Sequence, residues 1–298
     1  MGPRDVLRWR LGGKTPPELP DADHQPPIVL TPSAGRLSYP PPFQIAWLGH
    51  ASVLVQLDGL NVVTDPTFGA IAFGLVRRLD RAPLPPDKLP RIDAVLVSHN
   101  HYDHCDLPSL RALRRYSSAA VIYCPLGLGA FLRARIGGPV VELSWGEHER
   151  PPSFPSLRIH ALPAQHWSVR TPRDERRSHW CSFRIEGPSG IVYFAGDTGF
   201  GPHFEEIARR FPQVDVAVLP IGAYAPRWFM HRQHMGPAEA ISAARLIGAR
   251  LVIPMHWGTY RLTDEPLDEP PRLVRDAARE AGQALALLRP GELWPEAP

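Results

Sequence analysis

Within six residues, His99, His101, Asp103 and His104 offer three imidazoles and a carboxylate directly behind the apolar run Ile92-Asp93-Ala94-Val95-Leu96-Val97. Alternate strand residues point the same way, so His99, His101 and Asp103 can converge if the strand frays into a loop, with His104 joining through the turn. Such a donor set suits a borderline-soft divalent ion such as zinc. Burying that many titratable groups without an ion would cost roughly a lost hydrogen bond or more per group. An exposed His-rich loop is the blander reading, and the buried strand before it argues for a metal.

Three more ligand types follow apolar segments: His166 after 157–165, Asp197 after 191–196 and His256 after 251–255. Strand ends hold side chains rigidly, as a metal site requires. Each alone is equally well a histidine hydrogen-bonded at a core edge or an aspartate capping a turn. The positioning elements are legible around them. Residues 43–48, 52–57 and 61–64 read as strands, with turns at Gly49-His50 and Asp58-Gly59. Residues 107–116 and 127–135 read as helices, and 119–123, 140–143 and 157–162 as strands. Strands over 182–185 and 191–195 flank the turn Gly187-Pro188-Ser189-Gly190. Helices are expected over 203–210, 237–247 and 267–281, Pro237 suiting a first helical position. Strands over 214–219 and 251–254 separate them.

Composition narrows the class. The 298 residues, 44% apolar, can bury a large core, and no run approaches the roughly 20 apolar residues of a membrane span. The first ten residues lack the apolar stretch of a secretory signal. Cys105, Cys124 and Cys181 form no Cys-x-x-Cys pair and no disulfide framework, so a reducing cytoplasm is the expectation. The net charge of +3 and the absence of a basic stripe interleaved with aromatics argue against nucleic acid as a partner. The run Arg173-Asp174-Glu175-Arg176-Arg177 is a solvated loop whose charges largely cancel. Residues 1–42 are proline-rich and cannot hold a long helix. They read as an extended arm on a 43–298 domain, with Val6, Leu7 and Trp9 a weak membrane-contact motif.

Together, the His-x-His-x-Asp-His motif and the distant His, Asp and His resemble the metallo-β-lactamase superfamily. Further segments are similar to its branch of N-acylphosphatidylethanolamine-hydrolysing phospholipases D and their bacterial relatives: Trp47-Leu48-Gly49-His50-Ala51-Ser52, Thr64-Asp65-Pro66, Pro163-Ala164-Gln165-His166-Trp167-Ser168, Phe194-Ala195-Gly196-Asp197-Thr198-Gly199, Pro220-Ile221-Gly222-Ala223-Tyr224, Pro226-Arg227-Trp228-Phe229-Met230 and His256-Trp257-Gly258-Thr259. The resemblance spans nearly the whole chain. It implies an α/β (α+β) fold, an αββα sandwich of two mixed sheets flanked by helices.

The resemblance also implies two zinc ions. His99, His101 and His166 would hold the first, Asp103, His104 and His256 the second, and Asp197 would bridge both. Asp65 resembles the superfamily's supporting acid, which accepts a ligand imidazole's free N–H; His50 would do similar work or stabilise its turn. His234 aligns with a histidine implicated in activity, and Arg170 with an arginine that contacts a substrate phosphate. Tyr224 and Arg227, in the branch-specific segments, join the substrate-binding candidates. Trp167, Tyr224, Trp228, Phe229 and Met230 would line an acyl groove or simply pack. Cys105 departs from the branch's usual leucine, and His148 and His179 match nothing.

The implied reaction is phosphodiester hydrolysis of phospholipase D type. A hydroxide shared by the two ions, activated because metal binding lowers the pKa of water towards about 7, attacks phosphorus. N-acylethanolamine and phosphatidic acid are the products. A lactonase or other small-ester hydrolase of the same fold is the alternative. A homodimer and at most peripheral membrane contact, at the inner face, complete the expectations.

Overall fold

Two β-sheets lie face to face with helices outside them. The computed structural model describes residues 27–295; the Val6, Leu7 and Trp9 motif and the first part of the arm lie outside these. Described arm residues run against the body: Leu30 N–H donates to Pro290 O at 2.7 Å, and Leu37, on the five-residue helix α1 (Ala34–Ser38), is buried.

The first sheet contains β1 (Phe43–Gly49), β2 (Ser52–Leu57), β3 (Leu60–Thr64), β4 (Ala94–Leu96), β5 (Val121–Pro125), β6 (Val140–Leu143) and β13 (Leu293–Trp294), in the order β13-β1-β2-β3-β4-β5-β6. The second runs β12-β11-β10-β9-β8-β7, with β7 (His148–Glu149), β8 (Arg158–Leu162), β9 (Ser182–Gly187), β10 (Gly190–Phe194), β11 (Val214–Pro220) and β12 (Ala249–Met255). Strands β3 to β6 pair in parallel, as do β10 to β12; the other named pairs are antiparallel, so both sheets are mixed. The helices are α2 (Leu107–Tyr116), α3 (Gly129–Arg135), α4 (His203–Arg210), α5 (Arg227–Met230), α6 (Pro237–Leu246) and α7 (Glu269–Ala281).

Period-two alternation decides which side chains enter which layer. Ile45, Trp47, Val53 and Val55 meet Ile159, Phe183, Ile185 and Val192 between the sheets. The opposite face of the first sheet, with Leu48, Leu54 and Val95, packs on Leu110 and Leu113 of α2 and Leu132 of α3. The outer face of the second packs Tyr193, Ala217 and Leu219 against α4, α6 and α7. Its parallel strands are covered on both sides, which is why 214–219 reads as a nearly continuous apolar run.

The expected elements are present with ends shifted by a few residues. Four short ones were not anticipated: α1, β7, α5 and β13. Elements of two to five residues complete too little of a period to leave a sequence signal. No helix of the described residues is long and apolar enough to cross a membrane.

Candidate metal centre

The C-terminal ends of β4, β8, β10 and β12 all lead to one place, where the seven expected ligands meet. Two groups form. His99, His101 and His166 make one, while Asp103, His104 and His256 make the other, together with His50. The expectation that His99, His101 and Asp103 converge by strand periodicity is corrected. A turn follows His101, whose carbonyl accepts from His104 N–H at 3.2 Å and Cys105 N–H at 2.8 Å. That turn sends Asp103 to the second group.

Asp65 at the end of β3 organises the histidines. Its Oδ1 accepts from Ser98 N–H at 2.7 Å and its Oδ2 from Ser98 Oγ–H at 2.6 Å. Ser98 Oγ lies 2.9 Å from His99 Nδ1, and His104 Nδ1 lies 2.7 Å from Asp65 Oδ2. A carboxylate only accepts, so His104 must donate from Nδ1; the serine, having given its proton to Asp65, accepts from His99. Both imidazoles therefore turn Nε2 inward. His166 does the same, its Nδ1 donating to Gln233 O at 3.1 Å.

Within the first group, His101 Nδ1 lies 2.8 Å from His99 Nε2 and 3.2 Å from His166 Nε2. One proton on His101 would satisfy only one of those two acceptors; a cation satisfies all three nitrogens. In the second, His104 Nε2 stands 3.3 Å from His256 Nε2, with Asp103 Oδ2 at 3.5 and 3.7 Å from them. Ligands held at 2.0–2.1 Å in a zinc tetrahedron stand about 3.3 Å apart, so both spacings fit such an ion. Asp197 joins the groups. Its Oδ2 is 3.0 Å from His104 Nε2 and 3.9 Å from His166 Nε2, and its Oδ1 is 3.1 Å from His256 Nε2. Asp197 Oδ1, His234 Nδ1 and His256 Nδ1 are buried without a hydrogen-bond partner. The donor set and the orphaned Asp197 oxygen fit a pair of divalent cations.

The electrostatics agree. Burial, with neighbouring imidazoles, pushes His99 and His166 well below the usual histidine range and His101 down to about 4. These rings are neutral, as imidazoles that could hold a cation must be. Burial also opposes charge on Asp103 and Asp197, but His104 and its neighbours overcome it and hold both carboxyls well below their ordinary range. Burial lowers His256 too, yet Asp197 and Asp103 raise it to about 9. Protons on the second group are what cations would replace.

The backbone is bent to aim these groups. His50, Asp65 and His256 adopt φ of 52°, 31° and 63°, a left-handed region costly for side chains of this size. His50 fills both roles considered for it: its carbonyl accepts from Trp47 Nε1–H and His256 N–H, and its Nε2 lies 3.1 Å from Asp103 Oδ2. Trp47 stacks on Trp257 at 5.1 Å, fixing the chain next to His256. Gly196 (φ 59°) permits the approach of Asp197's loop, since a Cβ there would lie 2.7 Å from Ser98 Cβ.

Other expected site residues divide. His234 is buried beside the centre, its Nδ1 3.9 Å from Asp197 Oδ2, and burial lowers it to about 4. Arg170 gives Nη1 to Asn100 O at 2.9 Å and Cys105 O at 2.7 Å, and covers the Tyr102 ring at 4.1 Å. It straps the ligand loop. Arg227 is committed to Glu239 at 2.7 and 2.8 Å and to His234 O at 2.9 Å, and Tyr224 donates its hydroxyl to Glu269. These partners hold the polar heads of the three residues that the resemblance offered as substrate contacts.

Of the aromatics, Trp167 meets His101 edge-on at 5.3 Å and Trp228 is half exposed, whereas Phe229 and Met230 pack with Ala223. Three contributors carried no assigned role in the sequence: Ser98, the Gln233 carbonyl and Thr198. The Thr198 hydroxyl accepts from Gln165 N–H at 2.9 Å and its carbonyl from Met235 N–H at 2.9 Å, joining the loops of His166, Asp197 and His234. Only the position of Ser98 and Thr198, each beside a ligand, could have marked them.

Comparison with known proteins places this geometry. Residues 60–257 match the β-lactamase superfamily domain. The chain is 35% identical over 264 residues to N-acyl-phosphatidylethanolamine-hydrolyzing phospholipase D 1 of Caenorhabditis elegans, covering 83% of this chain and 74% of that protein. It is 30% identical over 256 residues to a UPF0173 metal-dependent hydrolase of Methanopyrus kandleri, covering 84% of this chain and 99% of the other. Among solved structures, a metallo hydrolase from the archaeon Ignicoccus hospitalis shares the fold with a TM-score of 0.65 at 23% identity, over 84% of this chain and 97% of that one.

Proposed function

The chain belongs to the β-lactamase superfamily and to its metal-dependent hydrolases, and on that premise we propose that it is a dinuclear zinc phosphodiesterase of phospholipase D type. Its substrate class is N-acylphosphatidylethanolamine-like phospholipid, met from a peripheral position at a membrane surface. The observation that carries the reading is Asp197, whose two oxygens reach both imidazole groups. The 35% identity to a phospholipase D named for that substrate supports the lipid class.

His99, His101 and His166 hold one ion, Asp103, His104 and His256 the other, and Asp197 both. Bound there, two divalent ions supply Lewis acidity towards a phosphate oxygen and a water acidic enough to react near neutral pH. Asp65 and Ser98 keep the His104 and His99 rings in the tautomer that faces inward. Asp103 and Asp197 stay ionised, so water's proton has an acceptor nearby. His234, neutral and 3.9 Å from Asp197, would relay water's proton from that carboxylate to the departing alkoxide as the phosphorus–oxygen bond to the headgroup breaks. Water's oxygen ends on phosphatidic acid and its proton on N-acylethanolamine. Trp167, edge-on to His101, and the half-exposed Trp228 are the candidate acyl contacts.

Turnover of N-acylphosphatidylethanolamine, bis-p-nitrophenyl phosphate and a homoserine lactone by zinc-loaded protein tests the reading. Hydrolysis of both diesters, the lipid preferred, is expected. Turnover of the lactone alone would overturn it in favour of a lactonase.

A further inference from the structure

The outer face of the second sheet changes character halfway across. Over β10 to β12 it is apolar and covered by α4, α6 and α7. Over β7 to β9 the outward residues form a basic ladder. His148 pairs in register with His160, and His160 with Arg184; Arg158 pairs with Glu186 on the next rung. Their neighbours along β8 and β9, Ile159, Ala161, Phe183 and Ile185, point inward to the core. A concavity of about 520 Å³ opens over this ladder, closed on one side by Arg210 and Phe211 at the end of α4 and bordered by Arg150.

Cations outnumber carboxylates there. Four guanidinium groups, of Arg150, Arg158, Arg184 and Arg210, line a space with one carboxylate, Glu186, while Glu206 lies 3.8 Å from Arg210 Nη1 and Asp215 accepts from Ile191 N–H at the border. Glu186 is already shared, meeting Arg158 Nη1 at 3.3 Å and Arg184 Nε at 3.4 Å. Arg184 is itself buried and always charged. Phe211 holds the guanidinium groups of Arg184 and Arg210 over its ring at 5.0 and 5.5 Å, ordering both. The independent sign of a ligand is His160. Only 7% exposed, it has a buried Nε2 without a hydrogen bond, the Glu186 oxygen lying 3.6 Å away. The carboxylate facing this ring is drawn away by two guanidinium groups, so the imidazole stands beside positive charge that an anion in the concavity would offset.

We propose that this concavity binds a phosphate-monoester anion, held by the guanidinium forks of Arg158 and Arg210 and by His160. Phosphate suits the forks because planar guanidinium groups match its oxygens in pairs. The site stands apart from the metal centre. Its lining includes Arg158 and Ile191, at the starts of β8 and β10, whereas the metal ligands follow those strands' far ends. At about 3.3 Å per residue, Ile191 and Asp197 are separated by up to roughly 20 Å. The anion is therefore not the substrate's scissile phosphate. Either a free phosphate ester or the headgroup of phosphatidic acid offers the required chemistry.

The test is calorimetric titration of inorganic phosphate into the metal-loaded protein at constant ionic strength. Wild type is compared with Arg158→Ala/Arg210→Ala and, separately, with His148→Glu, which puts a carboxylate over the ladder from an exposed edge position. Both variants should bind phosphate at least tenfold more weakly and hydrolyse bis-p-nitrophenyl phosphate at the wild-type rate. Equal phosphate affinity in all three proteins would overturn the site, as would no binding in any. Co-sedimentation with phosphatidic-acid vesicles then sorts the source. Sedimentation of wild type but not His148→Glu marks the lipid headgroup; equal sedimentation, with the phosphate difference retained, marks a soluble ester.

Discussion

Histidines are buried at both ends of the second sheet, and their neighbours give them opposite uses. At the metal end, His104 and His256 face Asp103 and Asp197, which raise His256 to about 9 against the cost of burial. At the basic end, His160 faces His148, Arg184 and Arg158, and burial and these neighbours press it down to about 4 despite Glu186. The residue type is the same. Carboxylates around an imidazole create a place where a cation can replace protons; guanidinium groups around it create one where an anion is wanted. Geometry follows suit: ring nitrogens converge within 3.3 Å in the first region, whereas rings stack at 4.8 Å across strands in the second.

The largest effect that could break this contrast comes from Asp197, the residue that ties the two imidazole groups together. Asp197→Asn should lower kcat/KM on bis-p-nitrophenyl phosphate by about a thousandfold, the several kcal/mol that a well-placed ion contributes. Mass spectrometry of the native protein should show it losing metal. Retained turnover would remove the bridging role. Next in size is Asp65→Asn, which leaves the ligands in place but weakens their hold on tautomer and direction. A ten- to hundredfold loss of metal affinity is expected, about the usual size for a partner one bond removed from the ion. Competition with a chelator measures it, and an unchanged affinity would show that Ser98 and packing suffice.

The two regions also differ in how far they could be read from sequence. The candidate metal centre announced itself because His99, His101, Asp103 and His104 fall within six residues and because His166, Asp197 and His256 each follow an apolar strand. Their division between two groups came from the family resemblance and not from strand alternation, which the turn at His101 overrides. Neither could show that Arg170, Arg227 and Tyr224 were already engaged, because those partners come from distant segments. The basic ladder left no motif. His148, His160 and Arg184 lie on three strands, one only two residues long, and become neighbours only through register. Most strands, by contrast, were legible from their apolar runs, which burial between layers makes obligatory.

Arg170 sharpens the comparison from within the metal end, because it is a cation placed beside a cation site. Its two hydrogen bonds to Asn100 O and Cys105 O hold the ligand loop closed at both ends. Arg170→Ala should destabilise the fold by about 2–4 kcal/mol, the loss of two charge-assisted bonds to carbonyls. It should also lower metal occupancy while leaving KM for the diester unchanged. Thermal unfolding and metal analysis check the first two. A raised KM with full occupancy would instead restore it as a substrate contact.

The smallest effect belongs to the basic end and tests its electrostatics without any ligand. His160 stays neutral in the folded protein down to about 4, whereas an unfolded histidine takes its proton near 6.5. The groups facing it are His148 on β7, Arg158 on its own strand, and Arg184 and Glu186 on β9. A depressed folded pKa means that its contribution is fully present above pH 6.5 and is lost as pH falls towards 4, because the unfolded chain then binds a proton the folded one refuses. His160→Gln removes that difference. Its unfolding free energy should therefore decline less steeply than wild type between pH 6.5 and 4, by on the order of 1 kcal/mol after allowing for solvent around the arginines. Parallel slopes for the two proteins would mean that Glu186 cancels the guanidinium field and that the two ends of the sheet differ less than their side chains suggest.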